Sequence, residues 1–190
     1  MTLSSPTLDR RTMLKSAAGL AVGLVGLEGA HAAAVPADAF ASKGGDFGFL
    51  AGHWKISHRQ LKTPGSGVWD LFEGEASVWP ALGGMASIEE LRIPSRNFSG
   101  MGVRLFHVDK RLWADHWVSG RNGVLNEPMM GSFADGVGTF TADDMDGDRP
   151  IKARGVWDRI TPTACRWHQA TSSDGGKTWV GSWYMDWVRA

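Results

Sequence analysis

A single cysteine, Cys165, leaves no partner for an intrachain disulfide and excludes a zinc or iron–sulfur centre built on thiolates. Excess charge is missing too. Twenty Lys and Arg balance 20 Asp and Glu, so there is no field to hold a polyanion, and a nucleic-acid binder is excluded. No apolar run approaches the roughly 20 residues that span a bilayer. The histidines after the N-terminal stretch, His53, His58, His107, His116 and His168, show neither H-x-H nor H-E-x-x-H spacing. A metal site would have to be assembled from separate strands, and none is expected. Beyond the first 34 positions the chain has no internal repeat, no linker and no low-complexity tract, so its 190 residues point to one folded domain.

The N-terminus reads Asp9-Arg10-Arg11-Thr12-Met13-Leu14-Lys15, then a Gly/Ala/Leu/Val run from Ala17 to Leu27, then Ala30-His31-Ala32. Paired arginines, an apolar core of about a dozen residues and an A-x-A site make a twin-arginine type of export signal. The expectation is a cleaved signal over residues 1–34, a lead-in over 35–48 and a folded domain over 49–190. The mature protein would then reside in a bacterial periplasm, with the twin-arginine export machinery as a partner and no permanent membrane span. That route carries folded proteins, some loaded with a cofactor. Losing Arg10, Arg11 and Lys15 against Asp9 and Glu28 leaves 17 basic and 18 acidic residues, so the mature chain stays near neutral. Cys165 reads as a small buried hydrophobe, since no protease-like His or acid context surrounds it.

What the chain does have is 25 glycines, ten tryptophans and a persistent period of two from Gly52 onward. Apolar/polar alternation is the mark of strands with one buried face. Candidate strands are His53 to Leu61, Val68 to Val78, Met85 to Ile93, Gly100 to His107, Trp113 to Ser119, Gly123 to Leu125, Gly131 to Phe133, Val137 to Thr141, Ile151 to Trp157, Cys165 to Thr171 and Trp179 to Val188. Reading the two shortest as one broken strand gives ten. Turn chemistry separates them, as at Thr63 to Gly67, Leu82-Gly83-Gly84, Pro94 to Asn97, Asp109-Lys110, Ala134-Asp135-Gly136, Asp144 to Pro150 and Ser172 to Lys177. Sequential strands with hairpin-length links predict an all-β, up-and-down antiparallel barrel of about 8–10 strands, closed so that no edge is exposed. Phe40 to Leu50 is the one helical piece, a short lid over one end.

Phe49-Leu50-Ala51-Gly52-His53-Trp54 is similar to the F-L-x-G-x-W opening of bacterial calycin-like proteins, the lipocalin-type superfamily. Trp69-Asp70-Leu71-Phe72-Glu73-Gly74, Leu82-Gly83-Gly84 and Ser182-Trp183-Tyr184-Met185 resemble features of a group within it that has no assigned activity. The resemblance implies a barrel with an internal cavity and implies no reaction. Haem-binding nitrobindin-like proteins are similar small barrels with a G-x-W opening. No histidine here matches their haem ligand, so no cofactor is expected and haem stands as a further alternative. Ser172 to Trp179 resembles a single Asp-box, read as a tight structural hairpin. Asp143 to Asp148 has the oxygen density of a calcium loop but lacks the later bidentate acid, and reads as a solvated turn.

Taking Trp as the inward marker assigns the faces. Trp54, Ile56 and His58 then share one face, Trp113, Asp115 and Trp117 another, Cys165, Trp167 and Gln169 a third, and Trp179, Gly181, Trp183, Met185 and Trp187 a fourth. His58, Asp115 and Gln169 are the polar groups pointing inward. Glu75, Glu89 and Glu90 are further candidates on strands without a decisive apolar face, and Arg104 and Arg154 read as outward or as sitting at a barrel mouth. The leading expectation is binding of a small apolar or aromatic molecule by Trp54, Trp113, Trp117, Gln169, Trp183 and Met185. The alternative is a cofactor-independent lyase, isomerase or hydratase with His58 and Asp115 as its acid–base pair. A buried His58–Asp115 pair that merely satisfies the core is the plainer form of the same geometry.

Overall fold

The computed structural model describes residues 42–63 and 65–190. The export signal and the first two residues of the expected lid lie outside them. Ten strands follow one another: β1 (Gly52–Leu61), β2 (Trp69–Ala81), β3 (Ala86–Ile93), β4 (Phe98–His107), β5 (Leu112–Ser119), β6 (Met129–Ala134), β7 (Val137–Asp146), β8 (Arg149–Asp158), β9 (Ala164–Ser172) and β10 (Val180–Arg189). Each pairs antiparallel with its neighbours in sequence, and β10 returns to β1 with Trp54 opposite Arg189, closing an up-and-down barrel. The expected fold class is the observed one. No helix among the described residues is long and apolar enough to cross a membrane.

Two strand assignments change. Gly123 to Leu125 is not a strand: Gly123 takes a φ of 64° and its N–H donates to Ser119 O, while Leu125 makes an isolated bridge to Val118. The turn expected over Asp144 to Pro150 shrinks to Gly147-Asp148, with strand on both sides. Cross-strand pairs account for the gain, since Lys152 Nζ donates to Asp143 at 2.7 Å and Arg149 to Asp146 at 3.1 Å. The acidic residues there are neutralised across a hairpin and not gathered round an ion.

One end is sealed. Asp46–Leu50 forms a single 3₁₀ turn whose Phe47 and Leu50 are buried, and the Phe47 ring meets Trp113 and Phe133 edge-on at 4.9 Å. Trp54 Nε1 donates to Leu50 O at 2.7 Å, and the Arg189 guanidinium lies 4.2 Å over the Trp54 ring. Arg189 also donates to Ala51 O, to Phe49 O at 2.8 Å and to Pro162 O at 3.1 Å. One arginine from the last strand thus satisfies carbonyls of the lead-in and of the β8–β9 loop while covering the first strand's indole.

The inner face alternates large side chains with glycine. A Cβ on Gly100 would come within 2.1 Å of the Trp117 ring, and one on Gly74 within 2.6 Å of His58 Nε2. Absent side chains on one strand make the room that an indole or imidazole on another occupies, which lets ten strands hold a tryptophan-rich core at ordinary packing density.

Candidate functional site

On the inner faces of β3, β4 and β5 stand Glu89, Arg104 and Asp115. Arg104 lies directly opposite Asp115 in the ladder, while Glu89 lies opposite Gly102 and so meets Arg104 on the diagonal. Gly102 makes this possible, since a Cβ there would stand 3.1 Å from Arg104 Nη2. Nη2 donates to Glu89 Oε2, and Nε is 3.4 Å from Asp115 Oδ1. The guanidinium also faces the rings of Phe47 and Trp157, at 5.0 and 5.2 Å. Arg104 and Glu89 are wholly buried. Burial works against the arginine's charge, but Glu89 and then Asp115 outweigh it and hold its pKa above the ordinary value. Nearby, burial and then the Glu89 carboxylate push the Cys165 thiol up to about 12, so it stays neutral.

The outward placement of Arg104 is therefore corrected. On β4 the side chains that face out are Ser99, Met101, Val103 and Leu105, whereas the inner row is Phe98, Gly100, Gly102, Arg104 and Phe106. Apolar residues on the outer face inverted the parity, and the two glycines that vacate space for Trp117 and Arg104 carry no hydrophobic signal. The alternation Gly-Met-Gly-Val-Arg was the available clue. Of the other acids, Glu89 faces in, while Glu75 and Glu90 face out and share Arg92 at 2.9 Å each.

Asp115 points into the closed barrel and still keeps 11% of its side-chain surface accessible. In the ladder Asp115 pairs with Met129 of β6 and Gly155 with Gln169 of β9, and the Met129 sulfur lies 3.4 Å from where a Gly155 Cβ would stand. Gln169 Oε1 is buried without a hydrogen-bond partner among the described residues, as is Arg104 Nη1. The buried indoles of Trp113, Trp117, Trp167 and Trp183 belong to the same core.

His58 faces inward as the alternation predicts and is 2% exposed. Its Nδ1 accepts from Trp183 Nε1 at 3.2 Å, which fixes the neutral Nε2–H tautomer. Phe72 stacks on the imidazole at 4.5 Å, and the Arg96 guanidinium covers Phe72 at 3.3 Å. Arg96 is held by Asp70 at 2.5 Å and Gln60 at 3.2 Å. Burial lowers its pKa, with Asp70 opposing. This column closes the end of the barrel opposite the Phe47 seal with side chains drawn from a three-residue turn (Pro94–Arg96) and strand ends.

The hydrogen-bond and ion-pair partners of His58 and Asp115 thus differ: one is joined to Trp183, the other to Arg104. Nε2 of His58 lies against Gly74, and Phe72 lies on the imidazole ring. Trp54 belongs to the Arg189 lock, and Trp113 donates to Asp46 at 3.3 Å under the seal. Met185 is fully buried opposite His58 and Trp167. Arg104, Phe72 and Arg96 are the site residues that sequence reasoning did not nominate, while Glu89 was one of three further candidates whose face the alternation did not decide. Outside the sealed end a groove of about 350 Å³ runs between Phe49, Phe133 and Ile160, beside Asp46 and Asp135. The barrel fits a calycin-like fold; compared with protein-family models and with curated proteins, the chain matches none.

Proposed function

We propose that this chain is an exported barrel that binds one small molecule with an apolar or aromatic body in its interior. The observation that carries the reading is the closed barrel whose inner faces are lined by indoles, with the polar side chains of Asp115 and Gln169 turned inward among them. A few convergent polar groups in an aromatic lining are how small-molecule sites are built. The difference between the two ends supports a route of entry: Phe47 and Arg189 fasten one end through many contacts, whereas Arg96 covers the other as one long side chain. The acid–base alternative gains no support from the separate partners of His58 and Asp115.

A ligand entering beneath Arg96 would displace water beside Trp183 and Trp117. Titration with a panel of small aromatic compounds is expected to change tryptophan emission saturably for some of them. Trp183→Ala should weaken that response; because truncation of a buried indole costs about 3 to 5 kcal/mol, its unfolding curve is measured alongside. No saturable response from any compound would refute interior binding. Export is tested separately. Replacing Arg10 and Arg11 with Lys should hold the precursor in the cytoplasm, and normal periplasmic accumulation of that variant would refute the assignment.

A further inference from the structure

The outer surface of the barrel is uneven. Charged side chains crowd one side, where Lys55 and Arg59 of β1, Lys152 of β8, Arg166 of β9 and Asp186 of β10 face outward, the last two paired at 2.6 Å. Apolar side chains gather on the other. Trp79 of β2 lies opposite Ile88 of β3, and Ile88 opposite Val103 of β4, so that the three form one outward row across three strands. Two residues along β4, Met101 lies opposite Val118 of β5, and Val118 is bridged to Leu125, which makes a second row beside the first. Trp79 is 47% exposed, Met101 38% and Leu125 55%, and Trp79 is the most exposed of the ten tryptophans.

The polar groups that border these rows are already engaged. Arg92 donates to Glu90, which lies opposite Met101, and to Glu75, at 2.9 Å each, while His116 at the end of the first row donates to Asn126 O at 3.0 Å. A partner that covers the face must therefore be apolar and uncharged itself, because a charge brought onto it would lose water without meeting an opposite charge. This chain displays such a face, and in a two-fold pair one patch serves both sides. With β10 paired to β1 there is no free edge, so a second copy cannot add a strand and has to pack face against face. The six side chains expose on the order of 400 Å² of apolar surface, about the apolar share of the roughly 600 Å² that each partner gives to a small stable interface. Trp supplies a rigid anchor in such interfaces and Met an adaptable filler. We propose that this face is where two copies of the chain meet, as a two-fold dimer that buries Trp79 and Met101 between the barrels.

Light scattering on the purified protein tests the proposal. At about 100 µM the protein should have twice the mass of one chain, falling towards a single chain on dilution to about 1 µM. Met101→Lys, which sets a charge in the middle of the face, should weaken association at least about tenfold. Trp79→Lys, on a different strand, should do the same and serves if Met101→Lys does not fold. Thr139→Lys, outward on β7 and three strands from β4, should leave the mass unchanged. A single-chain mass at about 100 µM overturns the proposal, as does a dimer that both face lysines leave intact. In that monomer, peroxide oxidation of Met101 would tell what else meets the face: protection assigns it to the chain's own residues 1–41, and ready oxidation leaves it to a foreign partner.

Discussion

Arg104 and Asp174 are charged side chains that the fold keeps ionised by opposite means. Arg104 gives up water entirely and relies on Glu89 and Asp115, so removing either acid leaves a buried charge short of a partner. Asp174 stays exposed in the β9–β10 hairpin and collects hydrogen bonds instead. Its oxygens accept from Ser172 Oγ at 2.7 Å, Thr178 Oγ1 at 2.6 Å, and the N–H groups of Lys177 and Thr178 at 3.0 and 2.9 Å. The Thr178 side chain, then its backbone N–H, then Ser172 hold the Asp174 pKa far below the ordinary carboxylate range. A depressed folded pKa means that the stabilisation is present above the unfolded value and is lost as pH falls through the folded one. The Asp174 carboxyl should accordingly remain ionised, by NMR titration, after the chain's other exposed carboxylates have protonated. Thr178→Val should move its midpoint upward, and an unchanged midpoint would contradict the hydrogen-bond origin. The Asp-box resemblance was legible because this geometry is local: one aspartate, two glycines at φ of 77° and 96°, and Trp179 closing onto Gly176 O at 3.0 Å.

At the scale of the strand, the inner rows carry their information in glycine as much as in tryptophan. Period two read β1, β5 and the Trp183–Trp187 part of β10 correctly because Trp54, Trp113, Trp117, Trp183 and Trp187 mark the inward face. A bulge between Gly181 and Trp183, however, takes Gly181 to the Tyr184 side, and Trp179 precedes the strand with Arg154 over its ring. Period two failed on β4, where the inner row alternates Phe98, Gly100, Gly102 and Arg104, and where the apolar side chains lie outside. Which glycine receives which neighbour's ring is set by the register between strands, and a single chain read alone does not contain that register. The consequence is measurable. Gly100→Ala drives a methyl to 2.1 Å from the Trp117 ring, so it should destabilise the barrel by about 1 to 3 kcal/mol in denaturant titration, whereas Gly48→Ala meets nothing within 4 Å and should stay within about 0.5 kcal/mol. Equal effects at the two positions would show that the interior is looser than these contacts describe.

For the whole molecule, ten consecutive antiparallel strands closed β10 to β1 leave no free edge. Closure and strand order followed from the turn spacing alone, and the Phe47 seal from the lead-in. What the spacing did not contain was the charged cluster, because Glu89, Arg104 and Asp115 come from three strands and meet only through the register in which β3, β4 and β5 pair. The ends also differ in kind, one fastened by the Arg189 lock and the Phe47 rings, the other covered by Arg96 over Phe72. The proposed function claims that such a barrel retains a small molecule through purification. Native mass spectrometry of the protein isolated from its native source without denaturation tests that claim most directly. The account predicts a folded species heavier than the bare chain by one small molecule, which is shed when the barrel is unfolded. A folded species at the mass of the bare chain would contradict it.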